Sequence, residues 1–248
     1  MSRIVCWFSC GAASAVATKL MLAENAGRLP LIIAYTEVAE EHPDNKRFLV
    51  DCERWFGQKI TVIRNDKYDA SIYEVFRRER FLVGPSGAAC TRLLKRGMRA
   101  AFEKEGDIQV FGYTAEEEER AAGFFERNPH INGMSPLIER GLGKADCLAM
   151  IADAGIEIPA MYKLGYRNNN CIGCVKGGAG YWNKIRRDFP ETFKRMAEVE
   201  RDLGRTIIRV NGDGVYLDKL PESMGVHQEE PDIECSIFCH MAKSEYSA

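Results

Sequence analysis

Cysteine is the residue type of this sequence best suited to chemistry, and two cysteines stand at a diagnostic spacing. Cys171-Ile-Gly-Cys174 separates its thiols by two residues, so that both sulfurs can face one metal ion or cluster. The same spacing is typical of a redox dithiol, and buried cysteines can also serve as apolar filler. Three more cysteines lie outside apolar segments and are candidate ligands or nucleophiles: Cys90, Cys235 and Cys239.

The other four of the nine cysteines give weaker signals. Cys6, Cys52 and Cys147 lie in apolar or helical contexts, which predicts buried small hydrophobic residues. Cys10 lies in the first turn of the chain. The N-terminus shows no secretion signal, which predicts a cytoplasmic protein with reduced thiols and without a disulfide framework.

A turn of small residues, Ser9-Cys10-Gly11-Ala12-Ala13-Ser14, is a candidate anion site. It joins an apolar run to a helix-forming run, and the amides and dipole at a helix N-terminus attract phosphate. Ser9, Gly11 and Ser14 are the predicted contacts. Close packing of a strand on a helix favours the same residue types, and the turn lacks the Gly-Lys-Ser/Thr ending of a Walker loop.

Basic residues follow Cys90 on a predicted helix and fall on about one face of it at spacings of three to four: Arg92, Lys95, Arg96 and Arg99. Such a face would attract a sulfate or phosphate, and an ordinary solvated face is equally consistent with it. A second basic set consists of Lys176, Lys184, Arg186 and Arg187, which surround Tyr181 and Trp182 in the sequence. The two aromatic residues could stack on a base, but a position in the hydrophobic core is favoured for them.

Alternating strand-like and helix-like segments would position these residues. Short apolar runs predict strands at residues 3–9, 31–35, 60–64 and 107–113, and helical patterns occupy 12–26, 44–56 and 91–104. This alternation predicts an α/β fold, a parallel twisted sheet with helices on both faces. Since ligands bind at the carboxyl ends of such strands, three turns should share one rim: 9–14, 35–40 and 112–120.

The second half of the sequence is more helical and richer in cysteine. It predicts helices at 144–154 and 181–203, the latter broken at Pro190, and a hairpin around Asn-Gly-Asp-Gly. We therefore predict a nucleotide-binding α/β core over residues 1–140 and a helical, Cys-bearing part over 141–248 that packs on the core.

Composition sets outer limits on the function. The 248 residues are 46% hydrophobic and 28% charged, as in soluble globular proteins, which excludes a low-complexity or largely disordered chain. No apolar run of about 18 residues is present, which argues against a membrane-spanning helix. A net charge of −2 does not favour a broad polyanion-binding surface, although it is compatible with a local basic pocket.

The order of several segments resembles the phosphoadenosine-phosphosulfate reductase family of the adenine-nucleotide alpha-hydrolase, or PP-loop, superfamily. The first turn, as Ser-x-Gly-x-x-Ser-Ala-Val between strand and helix, is similar to the superfamily's phosphate loop. Cys90-Thr-Arg-Leu-Leu-Lys95, Ser135-Pro-Leu-Ile and Glu234-Cys235 resemble reductase segments. The chain departs from the pattern at Ala13, where ATP-cleaving relatives have Asp, and at Thr114, where reductases have Arg.

The resemblance implies a set of site residues. It implies an adenine nucleotide held by the first turn together with Arg92, Lys95 and Arg120, and Cys235 as the nucleophile. It also implies a [4Fe-4S] cluster, for which we assign the ligands Cys90, Cys171, Cys174 and Cys239. Exchange of Cys235 and Cys239, a cluster with one open iron, and zinc in place of the cluster stay open at this point.

Two enzyme classes follow from the resemblance. In the first, a sulfonucleotide reductase, the Cys235 thiolate attacks the sulfur of an adenylyl sulfate, and thioredoxin or glutaredoxin then releases sulfite. In the alternative, an ATP-dependent sulfur transferase thiolates a nucleic acid, although the missing Asp counts against this reading. A regulator that has lost catalysis is a third reading, and a homo-oligomer stays open.

Overall fold

The computed structural model describes residues 2–85, 87–231 and 233. These residues form the strands β1 (Ile4–Trp7), β2 (Leu31–Thr36), β3 (Ile60–Ile63), β4 (Val83–Gly84), β5 (Gly87–Ala88), β6 (Ile108–Val110), β7 (Asn132–Met134), β8 (Ile208–Val210) and β9 (Asp213–Val215). The α-helices are α1 (Ala12–Asn25), α2 (Asn45–Phe56), α3 (Ile72–Glu79), α4 (Gly97–Phe102), α5 (Glu118–Arg127), α6 (Lys144–Asp153), α7 (Ala160–Lys163), α8 (Ala179–Asp188) and α9 (Pro190–Leu203). None of the helices in these described ranges is both long and apolar enough to cross a bilayer.

The chain forms two compact units, each assembled from three stretches of sequence. Unit 1 consists of residues 1–37, 42–63 and 100–169, and unit 2 of residues 38–41, 64–99 and 170–248. Unit 1 holds the larger sheet, and unit 2 holds the cysteine loop with helices α8 and α9. Helices α6 to α9 and the Cys171–Cys174 loop lie in the C-terminal half, as predicted, whereas the division of the chain at residue 140 stays a prediction.

The sheet of unit 1 has five parallel strands in the order β3-β2-β1-β6-β7. Its central strand, β1, places Ile4 opposite Leu31 of β2 and Ile108 of β6. All four residues of β1 are buried, as expected for a strand with neighbours on both sides. The α/β fold with a parallel sheet predicted from the sequence is therefore confirmed, and β7, whose sequence Asn-Gly-Met carries no strand signal, is an addition to it.

Aromatic side chains and small residues fill the core between the sheet and its helices. The ring of Phe8, which follows β1, stacks on Phe48 of α2 at 6.2 Å between ring centres and meets Phe56 edge-on at 5.9 Å. Cys52, one turn from Phe48, is buried on the same stripe. Cys6 and Cys147 are also buried, so the three cysteines predicted as core residues are core residues, and burial raises the pKa of Cys147 to about 12.

In unit 2, local sequence patterns predicted some secondary-structure elements correctly and missed others. Ser71 caps α3 by accepting a hydrogen bond from the Glu74 amide. Strands β8 and β9 form the predicted antiparallel hairpin. The helix predicted at 91–104 is not uniform, because residues Thr91–Arg96 adopt π-helical geometry before α4. The two-residue strands β4 and β5 were not predicted.

The last described residues dock onto the start of α8. The Glu230 carboxylate accepts hydrogen bonds from the Gly180 and Tyr181 amides at 2.5 and 2.9 Å. Asn183 holds the preceding stretch through the carbonyls of Pro221 and Met224, and Asn170 donates to the carbonyl of Ile233. A carboxylate at a helix N-terminus is favoured by the helix dipole, so Glu230 supplies to α8 a cap from fifty residues away.

Candidate functional site

The order of strands identifies one crevice at the edge of the sheet of unit 1. From β1 the chain passes to β2 on one side, whereas β6 and β7 lie on the other side. In open α/β sheets, ligands bind at the carboxyl ends of the strands where the strand order reverses in this way. The turn at residues 9–14 after β1 and the loop at residues 112–117 after β6 adjoin that point.

The turn and the loop touch through their backbones. A Cβ atom added to Gly112 would lie 2.7 Å from the Cα and 2.8 Å from the amide nitrogen of Ser14. Only glycine allows this approach, because the opposing atoms belong to the backbone of α1 and cannot rotate away. Gly112 therefore fixes the first turn of α1 against the carboxyl end of β6.

The predicted phosphate contacts Ser9, Gly11 and Ser14 lie together in the turn. The Ser14 hydroxyl accepts from the Ser9 amide at 3.0 Å and donates to the Gly11 carbonyl at 3.0 Å. Gly11 occupies the N-cap position without a side-chain cap, and the first turn of α1 carries no acidic residue. The positive end of the helix dipole is thus left without a carboxylate from its own first turn, as an anion site requires.

Two asparagines hold the turn from positions distant in sequence. Cys10 has a φ of +59°, a left-handed conformation that is costly for a residue other than glycine. Its carbonyl accepts from the Asn169 side-chain amide at 2.6 Å, and the same amide nitrogen donates to Asn45 Oδ1 at 2.8 Å. The Cys10 thiol is 3.5 Å from the Asn45 carbonyl. These contacts fix the turn in the shape that presents the amides of α1.

A tyrosine also lies at the N-terminus of α1. The Ala12 amide donates to the Tyr162 hydroxyl at 3.4 Å. Tyr162, Asn169 and Asn45 were not predicted as site residues. Single polar or aromatic residues more than thirty positions away from the turn carry no spacing signal that links them to it.

The loop after β6 is rigid and acidic. Thr114 and Glu117 form a capping box, in which the Thr114 amide and hydroxyl both contact Glu117 Oε2 at 3.1 and 3.2 Å. Arg120, a predicted nucleotide contact, forms an ion pair with Glu117 and lies 5.3 Å from the centre of the Tyr113 ring. Hydrogen bonds from its own backbone amide and from the Thr114 hydroxyl lower the pKa of Glu116.

The Cys171–Cys174 turn of unit 2 is held by Tyr181. The Tyr181 hydroxyl accepts from the Gly173 amide at 3.0 Å and from the Cys174 amide at 2.9 Å, and lies 3.4 Å from the Cys171 carbonyl. Gly173 has a φ of +77°, and a Cβ there would lie 2.7 Å from the Thr192 methyl group. The turn is therefore fixed before any ligand binds. Tyr181 and Trp182 are 3% and 0% exposed, as favoured from the sequence.

Three of the predicted metal ligands lie in the described part of the chain. Cys90, Cys171 and Cys174 all lie in unit 2 and are all buried, which suits thiolate ligands of a cluster. Within residues 2–85, 87–231 and 233, however, no three His, Cys, Asp or Glu side chains lie close enough to hold a metal ion. Cys239 and the predicted nucleophile Cys235 lie outside the described residues. The ligand set and the nucleophile stay predictions.

The basic residues after Cys90 do not share one exposed face. Lys95 and Arg99 are buried, Arg96 is half-buried, and Arg92 is exposed and paired with Glu79 at 3.1 Å. The prediction of a common face assumed 3.6 residues per turn, whereas residues 91–96 follow the wider π-helical turn. Of the predicted nucleotide contacts, Arg92 and Lys95 belong to unit 2, and Ser9, Gly11, Ser14 and Arg120 belong to unit 1.

Comparisons with known proteins were made by sequence and by structure. No protein-family model matches the chain. No curated protein matches it either. One similar solved structure is the U34-tRNA thiolase NcsA from Methanococcus maripaludis with its [4Fe-4S] cluster, at 11% identity and a TM-score of 0.41 over 82% of this chain and 72% of that chain. At this similarity the match assigns neither a family nor an activity.

Proposed function

We propose that this protein is an enzyme that binds an adenine nucleotide at the turn between β1 and α1 and uses it to introduce sulfur into a nucleic acid. The observation that carries the proposal is the uncapped N-terminus of α1, fixed against Gly112 at the point where the strand order reverses. Nucleotide phosphates are the anions that such turns hold.

Charge distribution favours a nucleic acid as the second substrate. Residues 64–99 hold nine Lys or Arg against four Asp or Glu, and residues 170–209 hold nine against five, whereas the remaining residues of unit 2, 38–41 and 210–248, hold two against ten. The first two stretches are therefore basic although the whole chain has a net charge of −2. Their exposed members include Arg77, Arg78 and Arg80, each of which forms an ion pair with Glu74 or Asp202. A polyanion gains from many such contacts, whereas a small sulfonucleotide needs only a few.

Thr114 weakens the reductase reading, which is our second candidate. Reductases have an arginine at the position that Thr114 occupies, and here that residue is buried and closes the capping box with Glu117. A sulfonucleotide would therefore find a structural residue in place of a cation. The reductase reading retains one supporting observation, the two buried cations Lys95 and Arg99 on the helix that follows Cys90.

The chemistry assigned to the chain has two steps. In the first, an oxygen of the nucleic acid attacks the α-phosphorus of ATP, forms a P–O bond and releases pyrophosphate. In the second, a sulfur nucleophile forms a C–S bond at the activated carbon, and AMP leaves with the oxygen. The turn would hold and orient the phosphates. Cys171 and Cys174 would help to hold a metal cluster, which would supply sulfide as the nucleophile without a change in its oxidation state.

Turnover with defined substrates tests the proposal. Protein purified without oxygen is incubated with ATP, sulfide as the sulfur source and a pool of small RNAs. We expect RNA-dependent release of AMP and pyrophosphate, and thionucleosides that are retarded in organomercury gels and identified by mass spectrometry.

Cysteine variants provide the matched controls. C171S and C174S should lose the thionucleosides, whereas C52A, which changes a buried core cysteine of unit 1, should retain them. Sulfite release from an adenylyl sulfate, without AMP release on RNA, would establish the reductase in its place.

A further inference from the structure

The hydroxyl of Tyr162 occupies a position in unit 1 that suits an oxygen of a ligand. It accepts a hydrogen bond from the Ala12 amide, the first of α1, at 3.4 Å. A Cβ atom added to Gly11 would lie only 3.2 Å from it. The phenol oxygen is therefore in contact with an amide that a phosphate at this turn would meet.

The phenol keeps its proton under physiological conditions. Burial raises the pKa of Tyr162 to about 12, even though the Ala12 amide favours the ionised form. With the Ala12 amide directed at the oxygen, the O–H group can still donate one hydrogen bond. Residues 2–85, 87–231 and 233 provide no acceptor for it. The Tyr162 hydroxyl is thus a neutral hydrogen-bond donor at the N-terminus of α1, and no described residue accepts its proton.

The side-chain oxygen of Asn169, beside the same turn, is a second polar group without a hydrogen-bond partner among the described residues. Its side-chain nitrogen is used twice, on the Cys10 carbonyl and on Asn45. Its Oδ1 receives no hydrogen bond from any described residue, and it is shielded from solvent because the residue is only 7% exposed. A buried acceptor without a donor is costly, about 1–3 kcal/mol, unless a ligand or water supplies the donor. Rotating the amide does not help, because both contacts of the nitrogen are to oxygens.

We propose that Tyr162 and Asn169 bind the nucleotide directly. The Tyr162 O–H donates to a phosphate oxygen at the N-terminus of α1, and Asn169 Oδ1 accepts from a hydroxyl or amino group of the same molecule. This inference rests on the proposed function, since it concerns the same turn, and it narrows the ligand to one that carries both a phosphate and a hydrogen-bond donor. Inorganic phosphate or pyrophosphate satisfies only the first half.

Calorimetric titration with ATP and with adenosine tests the Tyr162 contact. Y162F removes only the hydroxyl, so the affinity for ATP should fall about ten- to a hundred-fold, as for a lost hydrogen bond to a charged group. The affinity for adenosine, which lacks the phosphate, should not change. Y216F, the same substitution in unit 2, is the matched control and should leave both affinities as they are. Thermal unfolding of each variant verifies that the fold is retained.

Nucleotide analogues test the Asn169 contact without disturbing the turn. Wild-type protein should bind at least one of 2′-deoxy-ATP, 3′-deoxy-ATP and ITP about ten-fold more weakly than ATP, because each lacks one candidate donor. Equal affinity for all four nucleotides would overturn the role of Asn169.

The outcomes separate the inference from the proposed function. ATP binding by Y162F that equals or exceeds that of the wild type would overturn the role of Tyr162, because the hydroxyl would then merely fill the helix N-terminus. That result leaves the proposed function standing. A wild-type protein that binds no adenine nucleotide overturns both.

Discussion

Gly112→Ala is the substitution that most directly probes the crevice. The added Cβ would lie 2.7 Å from Ser14 Cα and 2.8 Å from the Ser14 amide nitrogen, whereas ordinary contact begins at 3.4 Å. Since both opposing atoms are backbone atoms, the first turn of α1 and the loop after β6 must separate by about 0.7 Å.

The size of the effect follows from this displacement. Overpacking of this kind lowers the free energy of unfolding by about 1–3 kcal/mol. The amides that face the phosphate move with the turn, and a misplacement approaching 1 Å reduces the function of a preorganised site by up to about a hundred-fold. We therefore expect ATP to bind G112A about ten- to a hundred-fold more weakly than the wild type.

Urea unfolding and calorimetric titration with ATP measure the two effects. Gly123→Ala in α5 is the matched control, because the atoms nearest to its Cβ would be those at the far end of the long Arg127 side chain, from 3.1 Å. Alanine should stabilise that helix by about 0.5–1 kcal/mol and leave ATP affinity unchanged. If G112A has the stability and the ATP affinity of the wild type, the fixed contact between the turn and the loop is refuted. If G112A is less stable but binds ATP as tightly as the wild type, the nucleotide binds elsewhere.

Three further predictions address the turn, a buried carboxyl and the thiols. Gly11→Val should abolish ATP binding, because the added side chain would fill the turn and its Cβ would lie 3.2 Å from the Tyr162 hydroxyl, whereas the φ of −110° at Gly11 is open to any residue and the fold should persist; unchanged affinity by calorimetry would exclude the turn from the site. Glu200→Gln should lower the free energy of unfolding by about 1–3 kcal/mol at pH 5, since the carboxyl is fully buried on two backbone amides. Burial raises the pKa of Glu200, so its stabilising effect is complete below the ordinary value of 4.5 and declines as the pH rises through the folded-state value; a difference between variant and wild type that grows towards pH 8 contradicts this. Protein purified without oxygen should be brown with about four irons per chain, and serine at Cys171 or Cys174 should remove the colour; colourless protein that contains zinc would rule out the cluster.

Strong periodic patterns made most of the unit 1 sheet predictable. Strands β1, β2 and β3 are short apolar runs, and the stripe of Phe48, Cys52 and Phe56 marks the buried face of α2. Strand β7 escaped prediction because Asn132-Gly-Met134 has no strand preference and pairs only because it lies beside β6. Its conformation comes from tertiary contacts and not from local sequence.

The site was predictable only where its residues are neighbours in sequence. The small residues at positions 9–14 and the spacing of Cys171 and Cys174 are local signals, and both segments form compact turns. Tyr162 and Asn169 reach the first turn from about 150 residues away, which no spacing rule anticipates. Lys95 and Arg99 point inward because a π-helical segment changes the register of their helix.

The interleaved order of the two units has a consequence for synthesis on the ribosome. Strand β1 cannot complete its pairing until β6 emerges, about a hundred residues later, because residues 64–99 belong to unit 2. At about 5–20 residues per second, the apolar edge of β1 waits roughly 5–20 s for its second neighbour. During that interval the nascent chain carries an open strand edge of the kind that pairs with other chains. Chaperone demand and the yield of soluble protein should therefore depend on how quickly translation crosses residues 64–110.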